Sequence, residues 1–194
     1  MMKKIIKIGV SGDRGSFSEM AGQSYIKKRK IKANLAYLID MERVLRALDN
    51  RKINFGIFPV ANSLGGLVRE AFEAMGKHNF KLIDELQLKV EHYLLVLPKN
   101  KQSKINKIYS YSQAFIQCQN YLKKHFPKAR QVYWHDTAKA ARDLKNGKFG
   151  PNAAVIAPKT AAKIYGLQIY RSKIQDSKDN LTTFIIVKRN SESE

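Results

Sequence analysis

Asn62 and Ser63 set an amide and a hydroxyl side by side on one segment, a donor pair suited to a carboxylate or a carbonyl oxygen. The same pair equally suits a turn, or the N-cap of the helix that follows. Ser16 stands in Ser11-Gly12-Asp13-Arg14-Gly15-Ser16-Phe17-Ser18, a glycine-flanked helix start. There its hydroxyl can join backbone N–H groups aimed at an anion, or simply cap the helix. Ser110 and Gln113 offer similar donors from the second half of the chain, and ordinary helix-start polarity explains them equally well. No Cys/His cluster has ligand spacing, so metal chemistry is not expected. Cys118, the single cysteine, reads as a buried small apolar residue, and His92, in an apolar strand, as core.

These residues need elements to hold them. Ile5–Val10 is a short apolar run that reads as a first strand, followed by a glycine-rich turn and a helix through Met20, Ala21, Tyr25 and Ile26. Leu35–Leu38 is a second strand candidate. Asp40 is a plausible N-cap for a helix carrying Val44, Leu45 and Leu48. A buried strand at Phe55–Val60, a helix from Leu67 to Met75, and strands at Ile83–Leu88 and His92–Leu97 follow.

Pro98 to Lys104 is polar, charged and opened by a proline, so a second lobe is expected to begin there. That lobe should hold strands at Ile108–Ser110, Gln131–Trp134, Ala153–Ala157 and Ile169–Ile174. Its helices should run over Ser112–Phe126, Thr137–Leu144 and Lys159–Tyr165, the last closed by Gly166. Thr183–Val187 is the last strand, and Ser191–Glu194 reads as a solvated tail. The division expected is residues 1–98 plus 176–194 for one lobe and 99–175 for the other. The βαβ rhythm implies a parallel sheet. Two lobes of βα units leave a crevice at the carboxyl ends of their strands. Function belongs in the loops there: Ser11–Ser18, Ala61–Gly66, Ser110–Gln113, the Asp136-Thr137 turn and Asp176–Thr183.

At 194 residues the chain suffices for one ample core or two small lobes sharing a cleft. No apolar run approaches the roughly 20 residues needed to cross a bilayer, and the basic, apolar start shows no cleavage pattern. A lone cysteine suits a reducing cytoplasm. The formal net charge of +20 is spread along the chain without aromatic-interleaved basic motifs. It reads as a solvated basic surface, with an anion-concentrating field and nucleic-acid binding as alternatives.

The loops carry a resemblance. Ser11 to Ser18 is similar to the opening glycine-rich motif of prephenate dehydratases, with Ser16 where they usually have threonine. Pro59-Val60-Ala61-Asn62-Ser63 resembles their Pro-Ile-Glu-Asn-Ser. Ser110-Tyr111-Ser112-Gln113-Ala114, then Gln117-Cys118, resembles their Ser-His-Pro-Gln-Ala and Gln-Cys. Thr137-Ala138-Lys139-Ala140-Ala141 and Tyr165-Gly166-Leu167 match as well. Ile174-Gln175-Asp176, then Asn180-Leu181-Thr182-Thr183-Phe184, is similar to the family's Ile-x-Asp and Asn-x-Thr-Arg-Phe. The match runs in order from about residue 5 to residue 188.

The resemblance implies an α/β, two-lobed, periplasmic-binding-protein-like (type II) fold with a central cleft, and a catalytic portion without the phenylalanine-sensing regulatory domain. It implies a lyase that turns prephenate into phenylpyruvate with loss of carbon dioxide and water, in phenylalanine biosynthesis, without a cofactor. Thr182 is then the proton donor. Asn62, Ser63, Ser16, Ser110, Gln113, Thr137, Thr183 and Phe184 are then the substrate-binding set. A homodimer in the cytoplasm, with no nucleic-acid or membrane partner, is the expected setting. The alternatives are arogenate as substrate, a decarboxylase that leaves the ring non-aromatic, and a cleft that binds a small carboxylate without turnover.

Two positions depart from the family pattern: Thr183 replaces its arginine and Ala61 its glutamate. Arginine is the family's expected carboxylate clamp. Losing a charge-assisted hydrogen bond of roughly 1.5 to 3 kcal/mol would weaken binding about ten- to over a hundredfold. Opposite signs suggest that the two positions were partners lost together. Arg14 is the local candidate for a replacement clamp.

Overall fold

Short polar side chains start the main helices where capping chemistry places them. In a computed structural model of the chain, which describes residues 5–98 and 105–190, Ser16 accepts from the Glu19 amide at the start of α1 (Phe17–Arg29). Asp40 accepts from the Arg43 amide at α2 (Met41–Asp49), and Asp136 from the Lys139 amide at α6 (Thr137–Lys145). Helix α7 (Lys159–Tyr165) ends on Gly166 at φ 62°, a left-handed cap that costs glycine little.

Two sheets carry the chain. The first runs β2 (Ala33–Tyr37), β1 (Ile6–Val10), β3 (Phe55–Asn62), β11 (Leu181–Arg189), β5 (Phe80–Lys89), with β4 (Gly66–Leu67) on β3. The second runs β10 (Gln168–Arg171), β6 (Tyr93–Val96), β9 (Ala153–Ala157), β7 (Lys107–Ser110), β8 (Arg130–Tyr133). Helices cover both faces of each. Helices α2 and α3 (Arg69–Met75) pack Val44, Leu45, Leu48 and Ala71 on one face of the first sheet, and α1 packs Ala21 and Tyr25 on the other. In the second, α6 and α7 bury Ala141, Leu144 and Ala161. On its other face α4 (Ser112–Gln117) and α5 (Gln119–His125) bury Phe115 and Leu122.

Three expectations change. Both sheets are mixed: β1, β2 and β3 are parallel, as are β7, β8 and β9, but β11, β5, β6 and β10 run antiparallel to their neighbours. The chain crosses between sheets twice, and each crossing brings a strand in from the opposite direction. The division between lobes also shifts. Tyr93–Val96, fully buried, lies inside the second sheet, so the first crossing falls at Val90–His92 and not at Pro98. The polar stretch after Pro98 marks a connection from β6 to β7, part of which, like residues 1–4 and the tail after Asn190, lies outside the described residues. The helix expected over 112–126 breaks at Cys118, because the Asp176 carboxylate takes the Asn120 and Tyr121 amides and starts α5 anew.

Among the described residues no helix is long and apolar enough to cross a membrane. The two crossings, Val90–His92 and 172–180, lie side by side: the Val90 amide donates to the Asn180 carbonyl and the Ile174 amide to the His92 carbonyl. They form the floor of the cleft.

Candidate active site

Against that floor lies a cavity with roughly 660 Å³ of open space, its mouth included. The first lobe supplies the β1–α1 loop and the end of β3. The second supplies the starts of α4 and α6, and Thr182 enters on β11.

The first-lobe loop is pinned to the second lobe along one flank. The Asp13 amide donates to Asp136, Arg142 pairs with Asp13 at 2.7 Å, Thr160 donates to the Gly15 carbonyl and Tyr165 to the Arg14 carbonyl. Opposite, Gln113 donates to the Leu67 carbonyl at 3.3 Å. The cleft is therefore bridged on both sides in this conformation.

Thr182, 7% exposed, faces this space. Its Oγ1 accepts from Asn62 Nδ2 at 2.9 Å, which leaves its own proton free to point elsewhere. Asn62 itself has nothing to spare. Its Oδ1 accepts the Leu64 and Gly65 amides, and its Nδ2 also reaches Asn180 Oδ1 at 2.7 Å and the Leu181 carbonyl at 3.0 Å. The chain continues through Asn180 Nδ2 to Gln117 Oε1 at 2.8 Å, and His92 Nε2 lies 2.7 Å from that same oxygen.

Of the residues the sequence singled out, Thr182, Asn62, Ser16, Gln113, Thr137 and Phe184 border the cavity. Four do not, and each has a physical reason. Ser63 is exposed and spends its hydroxyl on the Asp179 carbonyl and the Leu181 amide, prolonging the pairing of β3 with β11. Ser110 is fully buried and donates to the Ile156 carbonyl. Thr183 follows Thr182 on a strand, so alternation turns it to the other face of the sheet. Arg14 is exposed and lies near Tyr37, whose phenol its charge acts on. Thr183 and Ala61 are direct cross-strand partners, as their opposite departures suggested, but their pair lies off the cavity. Arg14 likewise does not border the cavity in this conformation.

Ser11, Ser18, His135 and Asp136 border the cavity as well, in or beside loops already marked by their position after strands. His92 and Gln117 also reach it, although the sequence placed His92 in the core. Both readings of His92 hold: it is 2% exposed, and Phe17 sits edge-on to its ring. The signal for its site role is its pairing with Gln117, which no spacing reveals.

Among the described residues the lining contains no lysine or arginine. Positive potential comes instead from the N-termini of α1 and α6, where Ser16, Ser18 and Thr137 border the space. Asp136, half-buried between the lobes, is pushed up to about 6 by desolvation, against the Lys139 and Asp13 amides that favour its charge. Burial drives the His92 imidazole down to about 4. Two acceptors, His92 Nδ1 and Gln113 Oε1, are buried without a hydrogen-bond partner among the described residues. A buried unpaired acceptor costs free energy unless a ligand or water supplies a donor.

The sequence model for prephenate dehydratase matches residues 8–192. The chain is 31% identical over 186 residues to the bifunctional chorismate mutase/prephenate dehydratase of Pseudomonas aeruginosa, covering 96% of this chain and 49% of that one. It thus spans about half the length of that relative. Among solved structures it resembles a prephenate dehydratase from Arthrobacter aurescens in complex with L-Phe, with TM-score 0.80, 24% identity, and 96% and 61% of the two chains covered. It also resembles the periplasmic substrate-binding protein of an ABC transporter from Coxiella burnetii, with TM-score 0.52, 15% identity, and 98% and 87% covered. Both likenesses speak for the two-lobed, periplasmic-binding-protein-like fold.

Proposed function

The chain belongs to the prephenate dehydratase family, and from that premise we propose that it converts prephenate into phenylpyruvate, carbon dioxide and water, a step of phenylalanine biosynthesis. The observation that supports the reading is the place of Thr182, which borders the cavity with its oxygen accepting from Asn62. Because Asn62 donates to its oxygen, the Thr182 proton is not spent on Asn62 and is free to turn toward the cavity.

In this reaction the bond between the ring and its carboxylate breaks, its electrons complete the aromatic ring, and the ring hydroxyl leaves. The departing oxygen takes the Thr182 proton and becomes water, and solvent returns a proton to Thr182. Threonine is a poor acid in water. Here the Asn62 amide stabilises the oxygen left behind. Burial on the cleft floor holds the donor in one place, so that orientation does much of the work.

The α1 and α6 N-termini, with Ser16, Ser18 and Thr137, take the substrate carboxylates, and the surplus of basic residues over the whole surface raises the local concentration of a dianion. Asp136 opposes a second negative charge unless it is protonated. One carboxylate and no lysine or arginine in the described lining favours arogenate as a second substrate, since its ammonium offsets a charge. In the same reading the protein is a cytoplasmic homodimer with no nucleic-acid partner.

Incubation with prephenate at neutral pH tests the proposal: ultraviolet absorption of phenylpyruvate should appear, and with arogenate, phenylalanine. Thr182→Val, which keeps the shape and removes the hydroxyl, should lose at least about a hundredfold in kcat. Retention of full activity by that variant removes Thr182 from the mechanism. A non-aromatic product would mark a decarboxylase, and thermal stabilisation by prephenate without turnover a binding protein.

A further inference from the structure

The buried hydrogen-bond chain beneath the cavity has a fixed direction, and its direction assigns a proton. The amides of Leu64 and Gly65 can only donate, and both donate to Asn62 Oδ1, at 2.9 and 2.8 Å. Asn62 Nδ2 must then face Asn180 Oδ1, which turns Asn180 Nδ2 toward Gln117 Oε1. With that oxygen identified as the acceptor, His92 Nε2, 2.7 Å away, must carry its hydrogen. A neutral imidazole has one N–H, so Nδ1 is a bare lone pair. It has no partner among the described residues, in a side chain 2% exposed that borders the cavity. The same Asn62 amide turns the Thr182 proton away from itself. The hydrogen-bond chain therefore leaves Thr182 a proton to donate and His92 Nδ1 a buried lone pair to accept with, on two residues that border the cavity, and neither can reverse without breaking a chain anchored in backbone amides.

We propose that His92 is a specificity-determining residue whose Nδ1 accepts a hydrogen bond from the ring hydroxyl of the substrate, the same hydroxyl whose oxygen receives the Thr182 proton. The inference rests on the prephenate reading and deepens it. As a dianion, prephenate has carboxylate and keto oxygens that only accept, and its ring hydroxyl is its single donor. That hydroxyl is the one group on the molecule that can satisfy Nδ1. Phenylpyruvate has lost it, so the product leaves Nδ1 unpaired, which favours release. Burial keeps the imidazole neutral at ordinary pH, so the acceptor persists.

Two substitutions separate this role from simple packing. His92→Gln places an amide where Nε2 was, keeps the donation to Gln117 and removes the acceptor. His92→Asn keeps an oxygen near the Nδ1 position and gives up the reach to Gln117. His92→Gln should lose kcat/KM for prephenate by about tenfold or more with an unchanged melting temperature, and His92→Asn should recover part of it. Activity of His92→Gln within about twofold of the unsubstituted protein overturns the inference while leaving the dehydratase reading intact.

Nitrogen-15 NMR of histidine-labelled protein gives a readout that needs neither turnover nor a folded variant at position 92. The free protein should show a protonated Nε2 and a bare Nδ1 for this ring. Prephenate added to Thr182→Val protein should shift the Nδ1 resonance toward the hydrogen-bonded value, and phenylpyruvate should not. A free-state Nδ1–H tautomer, or an Nδ1 signal unmoved by bound prephenate, overturns the proposal. If prephenate neither binds nor reacts with the unsubstituted protein, the functional reading fails and takes this inference with it. The tautomer result then still tells whether the hydrogen-bond direction was read correctly.

Discussion

Asn62→Asp changes one nitrogen into an oxygen and tests the proposed proton direction with almost no change in shape. Oδ1 still accepts the Leu64 and Gly65 amides, so the turn after β3 keeps its geometry. The other atom, a donor in the natural chain, becomes an acceptor facing Asn180 Oδ1 at 2.7 Å, the Leu181 carbonyl at 3.0 Å and Thr182 Oγ1 at 2.9 Å. Thr182 can then lower its energy by donating to residue 62, which takes its proton out of the cavity. The lost donation to a developing alkoxide is a charge-assisted hydrogen bond of roughly 1.5 to 3 kcal/mol. That corresponds to about ten- to 150-fold in kcat. Leaving Asn180 Oδ1 unsatisfied costs about 1 to 3 kcal/mol of stability besides.

A buried carboxylate with no cation beside it titrates above the ordinary range. Once protonated, the carboxyl introduced by Asn62→Asp regains one donor, so kcat of the variant should climb as pH is lowered, whereas the unsubstituted protein should not show that rise. Initial rates of phenylpyruvate formation from pH 5 to 8, beside urea unfolding curves, read both effects. A variant with kcat within about twofold of the original and the same pH profile would refute the role given to Asn62.

Gly65→Ala tests the opposite wall. A methyl group there would overlap Gln113 Oε1, the far end of a flexible side chain, so the fold should persist while Gln113 is displaced; KM for prephenate should rise several-fold with kcat less affected. Arg14→Ala should leave KM unchanged, because that side chain lies outside the cavity, and a large rise in KM would restore it as a clamp. Stability should also carry the signature of His92. Its folded-state value near 4 lies below the unfolded 6.5, so as pH falls through that window the unfolded chain binds a proton that the fold refuses, and about 3 kcal/mol is lost. Asp136, raised to about 6, acts the other way: the fold holds a proton that the unfolded chain has released, so stability falls as pH rises from about 4 to 6. The two should offset each other in urea unfolding at pH 4, 5 and 6. His92→Gln should expose the Asp136 effect as stability that declines with rising pH, and a flat profile in that variant would show that the offset is wrong.

Much of this protein is legible in its sequence because much of it is local. Ser16, Asp40 and Asp136 satisfy amides three residues on, Gly166 takes a left-handed angle, and the strands are short apolar runs between turn residues, so periodicity and capping chemistry locate them. The loops after those strands contain most of the cavity. The resemblance to prephenate dehydratases picked out Thr182, whose type and neighbours alone look like any strand-end threonine.

What the sequence could not decide was which polar side chains are free to act, because that depends on partners far along the chain. Ser63 and Ser110 are consumed by backbone groups at Asp179 and Ile156, Asn62 by a turn and by residues 118 to 120 positions away, and the break at Cys118 by Asp176. Thr183 differs from Thr182 only in which face of β11 it occupies, and pairing with β3 and β5 sets that face. The proton on His92 was settled farther off still, by two backbone amides reached through three side-chain amides. A hydrogen bond has a direction, and a buried chain of them passes that direction between residues that sequence order keeps apart.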